Sequence, residues 1–388
     1  MIRSILDNDL YKLTMQNAVI KSFPRAKVRY QFINRGQTKF PEGFAHELRK
    51  EIQKLARLSL KPEEKQWLSN RCYYLDPTYL DFLDSYRFNP EEVGIIQQGN
   101  DLQVSVEGLW YHSIMWEVPL MAMISELYYK MTKPETYSVD KITDIVHRKM
   151  AGYKMLGIKV SDFGTRRRYS FENQERVVQA LKNYGGNSFS GSSNVFLAMK
   201  YDITPIGTHA HEWFMFHAAQ FGYKSANKTA LENWVNTYRG DLGIALSDTF
   251  TTEAFFRSFD TKFAKLFDGV RHDSGDPLTF ADKAVAHYEK LRIDPMSKVI
   301  VFSDGLDPQT VEEITKYCRG RIKVNFGIGT NFTNDVGVKP LNIVIKLSEA
   351  KPEGLDWMPT VKLSDTKGKY TGNEREVQLC KMVLGIGD

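Results

Sequence analysis

Cysteine is scarce. Cys72, Cys318 and Cys380 are scattered, odd in number and form no CxxC pair. That excludes a disulfide framework and a zinc–cysteine site, and it fits a reducing cytosol, so a cytoplasmic location is expected. Long apolar runs are also missing. The richest, "SIMWEVPLMAMISELYY", is broken by Glu117 and Pro119 and reads as a buried helix, not a membrane span. The opening "MIRSILDNDLYKL" has no signal-peptide core. No charge of one sign dominates: 52 basic and 47 acidic residues leave +5, without a long basic tract. Nucleic acid is therefore not implied, while small anionic ligands are suited. No GxGxxG dinucleotide fingerprint occurs, and no GxxxxGK[ST], so any use of ATP is not of the P-loop kind.

What is present is ordinary soluble-protein text, 42% hydrophobic and 26% charged, long enough at 388 residues for two domains. The first 110 residues mix patterns. "DLYKLTMQNAVIKSF" has helical spacing, with Asp7 or Asp9 placed to cap it. "KVRYQFINR" alternates like a strand, helices are expected around 44–57 and 62–69, and "VGIIQQGNDLQVSVEG" reads as a hairpin turning at Gly99-Asn100-Asp101. After about residue 155 short apolar runs recur: "GIKVSDFG", "GNSFSGSS", "ITPIGTHAH", "GIALSDTF", "FDGVRHDSGDP", "KVIVFSDGLD" and "IKVNFGIGT". Most precede an amphipathic pattern, most clearly "DPQTVEEITKYC", with Asp307 as cap and Pro308 at the first helical position. About seven strand–loop–helix units predict a β/α barrel. "LNIVIKLSEA" and "WMPTVKLSDTKGKY" return to strand alternation and can pair with the N-terminal region. The expected organisation is a mixed α+β domain over 1–110, completed by 345–388, and a barrel over 111–344.

Polar residues gather at the C-terminal ends of the predicted strands, the active-site face of a β/α barrel. They are Asp162, Arg166–Arg168, Ser190–Asn194, His209, His211, Asp248, Arg271, Asp273, Ser274, Asp276, Asp304, Asp307 and the "GIGTN" turn. His209 and His211, two apart, fall on one face if the chain is extended there, and read as metal ligands, catalytic groups or plain polar contacts. In "SDFGTRRRYS" Phe163 beside three arginines suits a flat anionic heteroaromatic ring; a buried Phe in a solvated basic loop is the plainer reading. In "RHDSGDP" Arg271 suits a phosphate, and Asp273 and Asp276 suit ribose hydroxyls or a magnesium-bound water; the alternative is a tight turn with Asp276 before the Pro277 helix start. The small residues of "NFGIGTNF" let backbone N–H groups approach an anion.

Taken in order, "DNDLYKLTMQNAV", "WEVPLMAMISE", "DFGTRRRYS", "GTHAHEWF", "LGIALSDTF", "RHDSGDP", "VFSDGLD", "FGIGTNFTND" and "VKPLNIVIKLSE" closely resemble the bacterial nicotinate phosphoribosyltransferases, over nearly the whole chain. The acidic DDxxTTG loop of the common phosphoribosyltransferases is absent. The resemblance implies a distorted β/α barrel of the type II phosphoribosyltransferase class, joined to a smaller mixed α+β domain built from both chain ends. It implies formation of nicotinate mononucleotide and pyrophosphate from nicotinate and phosphoribosyl pyrophosphate in NAD salvage. ATP is the co-substrate, and Mg2+ is carried with pyrophosphate or ATP rather than on a dedicated protein site. By the same resemblance His211 is the phosphohistidine, a role that does not pass to His209, and Asp248 lies near it. Arg271 and Asp273 lie at the phosphoribosyl group. Phe163 stacks on the pyridine ring, and Tyr11 forms the opposite wall from the second subunit of a homodimer. Arg166 lies near the nicotinate carboxylate. Ser192 and Ser193 occupy the specificity region. Asp304, Gly305, Gly329 and Thr330 cradle the ribose and its 5′-phosphate.

Rivals remain at this point. In nicotinamide phosphoribosyltransferases an aspartate replaces Ser193, and there it would repel a carboxylate. A metal-dependent barrel hydrolase would use His209 and His211 with Asp273 or Asp304. A non-catalytic ligand-binding barrel is the third reading.

Overall fold

The computed structural model describes residues 1–366 and 369–387. Two sheets organise them. Strands β1 (Lys27–Asn34), β2 (Val93–Gln98), β3 (Asp101–Leu109), β10 (Ile343–Lys351) and β11 (Met358–Pro359) form an antiparallel sheet in the order β11-β10-β1-β3-β2. Its centre is a pairing between chain ends, Lys27 opposite Lys351 and Asn34 opposite Ile343. The hairpin turns as the Gly-Asn pair demands, with Gln98 opposite Asp101. The "TVKLSDTKGKY" part of the C-terminal alternation yields only a bridge between Lys362 and Thr371, and its Lys367 and Gly368 lie outside the described residues.

The other strands, β4 (Lys159–Asp162), β5 (Phe189–Ser192), β6 (Ile244–Leu246), β7 (Gly269–His272), β8 (Val299–Phe302) and β9 (Lys323–Ile328), are parallel in the order β5-β4-β9-β8-β7-β6. The seventh expected strand, "ITPIGTHAH", is not one. Pro205 alone bridges Ser192, and Thr208 Oγ1 donates to the Ile244 carbonyl at 2.9 Å. This irregular stave meets β5 through two backbone hydrogen bonds at Ser192, and β6 through the side chains of Thr208 and His209. Here Gly191 has no substitute: a Cβ would overlap the Thr204 carbonyl. The β/α barrel is thus distorted at one defined place.

Helix Leu10–Ser22 follows the helical spacing, but Leu10 through Val19 are all buried. Neither candidate cap caps it. Asp7 pairs with buried Arg168 at 2.7 Å, and Asp9 stands at the cap position while bonding elsewhere. Helix Pro308–Cys318 does start as expected, Asp307 Oδ1 accepting from the Thr310 N–H at 2.8 Å. Helix Glu117–Thr132 buries the richest apolar run, and Pro119 sits in its first turn, where the missing N–H costs nothing. Among the described residues no helix is long and apolar enough to cross a membrane. The three cysteines are free and buried.

An aromatic cluster joins the two sheets' helices: Trp110 stacks on Phe216 at 4.1 Å, and His217 meets Trp213 at 4.5 Å. His217 Nδ1–H donates to the Trp213 carbonyl, while Nε2 accepts from Asn233. Burial drives this ring down to about 4, so it stays neutral in the fold and protonates on unfolding. The folded value lies below the unfolded one, so its contribution is complete above the unfolded pKa and is lost as pH falls. Between about pH 6.5 and 4, wild type should lose stability relative to His217→Gln by about 1.4 kcal/mol per pH unit, read from denaturant unfolding across that range. A pH-independent difference would mean that the buried ring is charged.

Candidate functional site

The parallel strands end in a common rim, and helix Leu10–Ser22 lies against it. Leu10 N–H donates to the Ser193 carbonyl at 2.8 Å, and Thr14 Oγ1 donates to the Thr208 carbonyl at 2.6 Å. Tyr11 is thereby fixed in the rim of its own chain. It lines one pocket with Asp9, Phe163, Arg166, Ser193, Gly207 and Arg271. The expectation that Tyr11 reaches in from a second subunit is corrected: its helix packs in cis, so the aromatic slot is complete within one chain. Each ring is backed by a guanidinium, Arg166 at 5.9 Å from the Tyr11 centroid and Arg271 at 5.9 Å from that of Phe163. Gly327 of β9 makes room for Phe163, since a Cβ there would overlap its ring.

The three arginines of "TRRR" part company. Arg166 enters the slot. Arg167 lines a second cavity with Ser303, Gly305, Gly329, Thr330 and Asn331, where "GIGT" presents its backbone. Arg168 is core, held by Asp7 and Gln174. Asp304 follows β8, half-buried beside that second cavity's Ser303 and Gly305, and burial raises its carboxyl. Asp276 takes the plainer role, capping helix Pro277–Lys290 through the Thr279 N–H at 2.7 Å. Ser192 is also corrected. Fully buried, it donates to Asp162 at 2.7 Å and does not line the slot, whereas its neighbour Ser193 does.

The two histidines do not share a face, because the chain changes from extended to helical between them. His209 Nε2 accepts the Leu246 N–H at 3.1 Å, and its ring packs edge-on to Trp234. His211 opens helix His211–Phe221 and turns to the rim. Its Nε2 lies 3.0 Å from Asp273 Oδ2 and 2.9 Å from Lys362 Nζ, and its Nδ1 lies 3.0 Å from Thr249 Oγ1. Burial, reinforced by the Lys362 ammonium, lowers His211 to about 4 against the pull of Asp248 and Asp273. The ring is neutral near pH 7. Nε2 is the ring nitrogen on the pocket side; in the tautomer that donates Nδ1–H to Thr249, its lone pair accepts from the Lys362 ammonium. Burial disfavours charge on Asp273, yet Arg271, His211 and Lys362 together hold it well below the usual carboxylate range. Asp248 accepts from Ser274 at 2.6 Å through one oxygen, and its other oxygen is buried without a partner.

His211, Asp248 and Asp273 bring donor atoms within 4.8 Å of one another, but neither His209 nor Asp304 joins them. The hydrolase ligand set is therefore not assembled. The cluster also contains Lys362, whose ammonium lies 3.3 Å from Asp248 and compensates its charge.

Several site residues escaped sequence reading. Lys362 arrives from the far C-terminal segment, and no local pattern marks it. Lys346 of β10 lines the histidine pocket; burial, with Lys362 and Arg166, lowers it to about 7. Glu117 did leave a signal, one of two acids, with Glu126, inside an apolar run. It binds buried Lys12 at 2.6 Å and Arg166 at 3.4 Å, and Lys12 reaches Glu212 at 2.7 Å. One ammonium thus serves two carboxylates. Burial opposes ionisation of both, but Glu117, with Lys12 and Arg166 beside it, is held at about 2, while Glu212 is pushed up.

A slot for a flat ring, opening beside a glycine-edged cradle at the mouth of one β/α barrel, belongs to the phosphoribosyltransferases of the barrel class. The sequence model of the nicotinate phosphoribosyltransferase (NAPRTase) family matches residues 158–388, and that of its N-terminal domain matches 6–125. Nicotinate phosphoribosyltransferase of Chromohalobacter salexigens is 59% identical over 100% of this chain and 99% of its own, and that of Desulforapulum autotrophicum is 51% identical over the whole of both. The solved nicotinate phosphoribosyltransferase of Porphyromonas gingivalis, 49% identical, superimposes over 100% of each chain with a TM-score of 0.97. The chain belongs to the nicotinate phosphoribosyltransferase family.

The buried ion pairs generate a direct test. Lys12→Met would leave Glu117 and Glu212 without their shared cation. Stability in urea unfolding should fall by about 3–5 kcal/mol, the usual cost of breaking a buried pair. A loss below about 1 kcal/mol would show that water reaches the three groups.

Proposed function

We propose that this chain forms nicotinate mononucleotide and pyrophosphate from nicotinate and phosphoribosyl pyrophosphate, the first step of NAD salvage from nicotinate. ATP phosphorylates His211 and so couples its hydrolysis to the transfer. The observation that carries the reading is the slot itself, lined by Phe163 and Tyr11, polar at Arg166 and Ser193, and open toward Arg271.

Stacking holds the pyridine ring so that its nitrogen meets C1 of the ribose, which removes much of the orientational cost of the encounter. Arg166 and Ser193 take the exocyclic carboxylate. The backbone at Gly329 and Thr330, with Gly305 and Arg167, receives the 5′-phosphate, and Asp304 is available to ribose hydroxyls. As the C1–oxygen bond to pyrophosphate breaks, positive charge grows on the sugar and negative charge on the leaving group. Arg271 and Lys362 are the cations at hand for the latter, and Lys346, lowered to about 7, gains its proton as negative charge grows beside it. The oxygens of Asp248 and Asp273 are hard donors that fit a magnesium ion arriving with a polyphosphate, and such an ion neutralises phosphate charge. His211, neutral and with Nε2 on the pocket side beside Lys362, is fit to accept a phosphoryl group once that contact is exchanged for the phosphate. A phosphorylated ring among Asp248, Asp273 and Lys362 would rearrange their pairing, the physical basis for ATP altering substrate affinity.

Nicotinate is favoured over nicotinamide because Ser193 stands where an aspartate would accept an amide N–H. A cytoplasmic homodimer fits this reading, although the aromatic slot does not require a second subunit.

The test is product analysis with nicotinate or nicotinamide, phosphoribosyl pyrophosphate and magnesium, with and without ATP. Nicotinate mononucleotide should form, faster with ATP. Labelled ATP should leave an acid-labile, base-stable label that His211→Ala abolishes and His209→Ala retains. Phe163→Ala and Tyr11→Ala should each weaken nicotinate binding by roughly 1–3 kcal/mol. Because Tyr11 acts in cis, mixing Tyr11→Ala with His211→Ala chains should not restore activity. Full ATP stimulation in His211→Ala would falsify the phosphohistidine.

A further inference from the structure

Asp9 is the group in the slot that the reaction above leaves without a task. It is 2% exposed, lines the slot beside Tyr11 and Arg166, and caps no helix. Its Oδ1 lies 2.7 Å from Ser193 Oγ, and Ser193 is itself buried. A carboxyl here conflicts with a ligand that brings its own carboxylate, since like charges in a dry pocket resist joint ionisation.

The short contact holds a single hydrogen, and its direction decides what Ser193 offers. If Asp9 is ionised, Ser193 must donate to it and shows the ligand only lone pairs, which suits an amide NH2. If Asp9 is protonated, it donates to Ser193 Oγ, and the serine's own hydrogen turns to the ligand, which suits a carboxylate. Arg166 and Arg168, from the turn after β4, favour ionised Asp9, as does the Thr165 hydroxyl. Glu117, Asp162 and Tyr11 stand on the opposing side, and burial outweighs the cations to raise Asp9 above its ordinary value.

We propose that Asp9 is the positioning residue for acid-over-amide preference: it holds a proton while nicotinate is bound and, through Ser193, presents a hydroxyl donor to the ring's carboxylate. This rests on the nicotinate reading above. The balance is one proton. Where Asp9 is ionised in the free protein, nicotinate binding takes a proton from solvent, and nicotinamide binding takes none.

The experiment is calorimetry of nicotinate and nicotinamide binding from pH 6 to 9, in buffers of different ionisation enthalpy. Wild type, Asp9→Asn and Asp9→Ala are compared, with folding checked by circular dichroism. In wild type the nicotinate-to-nicotinamide preference should decline with pH, approaching tenfold per unit where Asp9 is ionised in the free protein but protonated in the nicotinate complex, with proton uptake confined to nicotinate. Asp9→Asn can donate to Ser193 through Nδ2 at every pH and does not titrate, so its preference should stay within threefold of the wild-type value at pH 6 and not decline. Asp9→Ala should lose at least tenfold. The proposal is overturned if Asp9→Asn falls with Asp9→Ala, or if wild type has a flat preference and no proton uptake. Should Asp9→Asn fail to fold, the wild-type profile and proton count decide alone. If wild type neither binds nor turns over nicotinate, the broader reading fails instead, a separate outcome.

Discussion

Lys12 is the ammonium on which the arrangement depends. It comes from helix Leu10–Ser22, is fully buried, and meets Glu117 at the start of one helix and Glu212 at the second position of another. Glu117 in turn touches Arg166. Four segments distant in sequence are thus tied at one point, and each contributes to the site: Tyr11 beside Lys12, Glu117 itself in the histidine pocket, Arg166 near Phe163, and His211 beside Glu212. Taking three charges out of water costs several kcal/mol per ion, and only close mutual attraction offsets it. Such a cluster adds little net stability, but it tolerates few alternative arrangements.

That constraint explains why the two pockets are connected. Tyr11, Arg166 and Arg271 line both the aromatic slot and the histidine pocket. Charge added at His211 would be felt by Asp273 and Lys362 in contact with it, and Asp273 is bonded to Arg271 at 2.8 Å. The His211 contacts are hydrogen bonds to charged groups and the Asp273–Arg271 step is an ion pair, all partly buried, where Coulomb interactions are stronger than in water. The route from His211 to the aromatic slot therefore consists of contacts rather than of distance.

The irregular stave over 203–209 has a comparable role. A regular strand there would alternate its side chains and keep His209 and His211 parallel. Instead the chain bridges only at Pro205, spends His209 on the β6 backbone, and starts a helix at His211. The break in the barrel is what frees one histidine for the rim while sealing the other in the core.

Much of this was legible in the sequence, because periodicity and caps are local. The hairpin at Gly99-Asn100, the Asp307 cap, the buried helix around Pro119 and the strand-end cluster from Asp162 to Thr330 follow from short-range rules. The sequence could not say where single charges go. Arg166, Arg167 and Arg168 are adjacent and chemically alike, yet only packing sends one to the slot, one to the cradle and one to Asp7. Asp9 looked like a cap, and Ser192 looked as suitable as Ser193. Lys346 and Lys362 reach the site only because β10 pairs with β1 across more than 300 residues of chain. Residue type and spacing determined which chemistry was possible. Burial, which alone decides whether a polar group must find a partner or face a ligand, came from the tertiary structure.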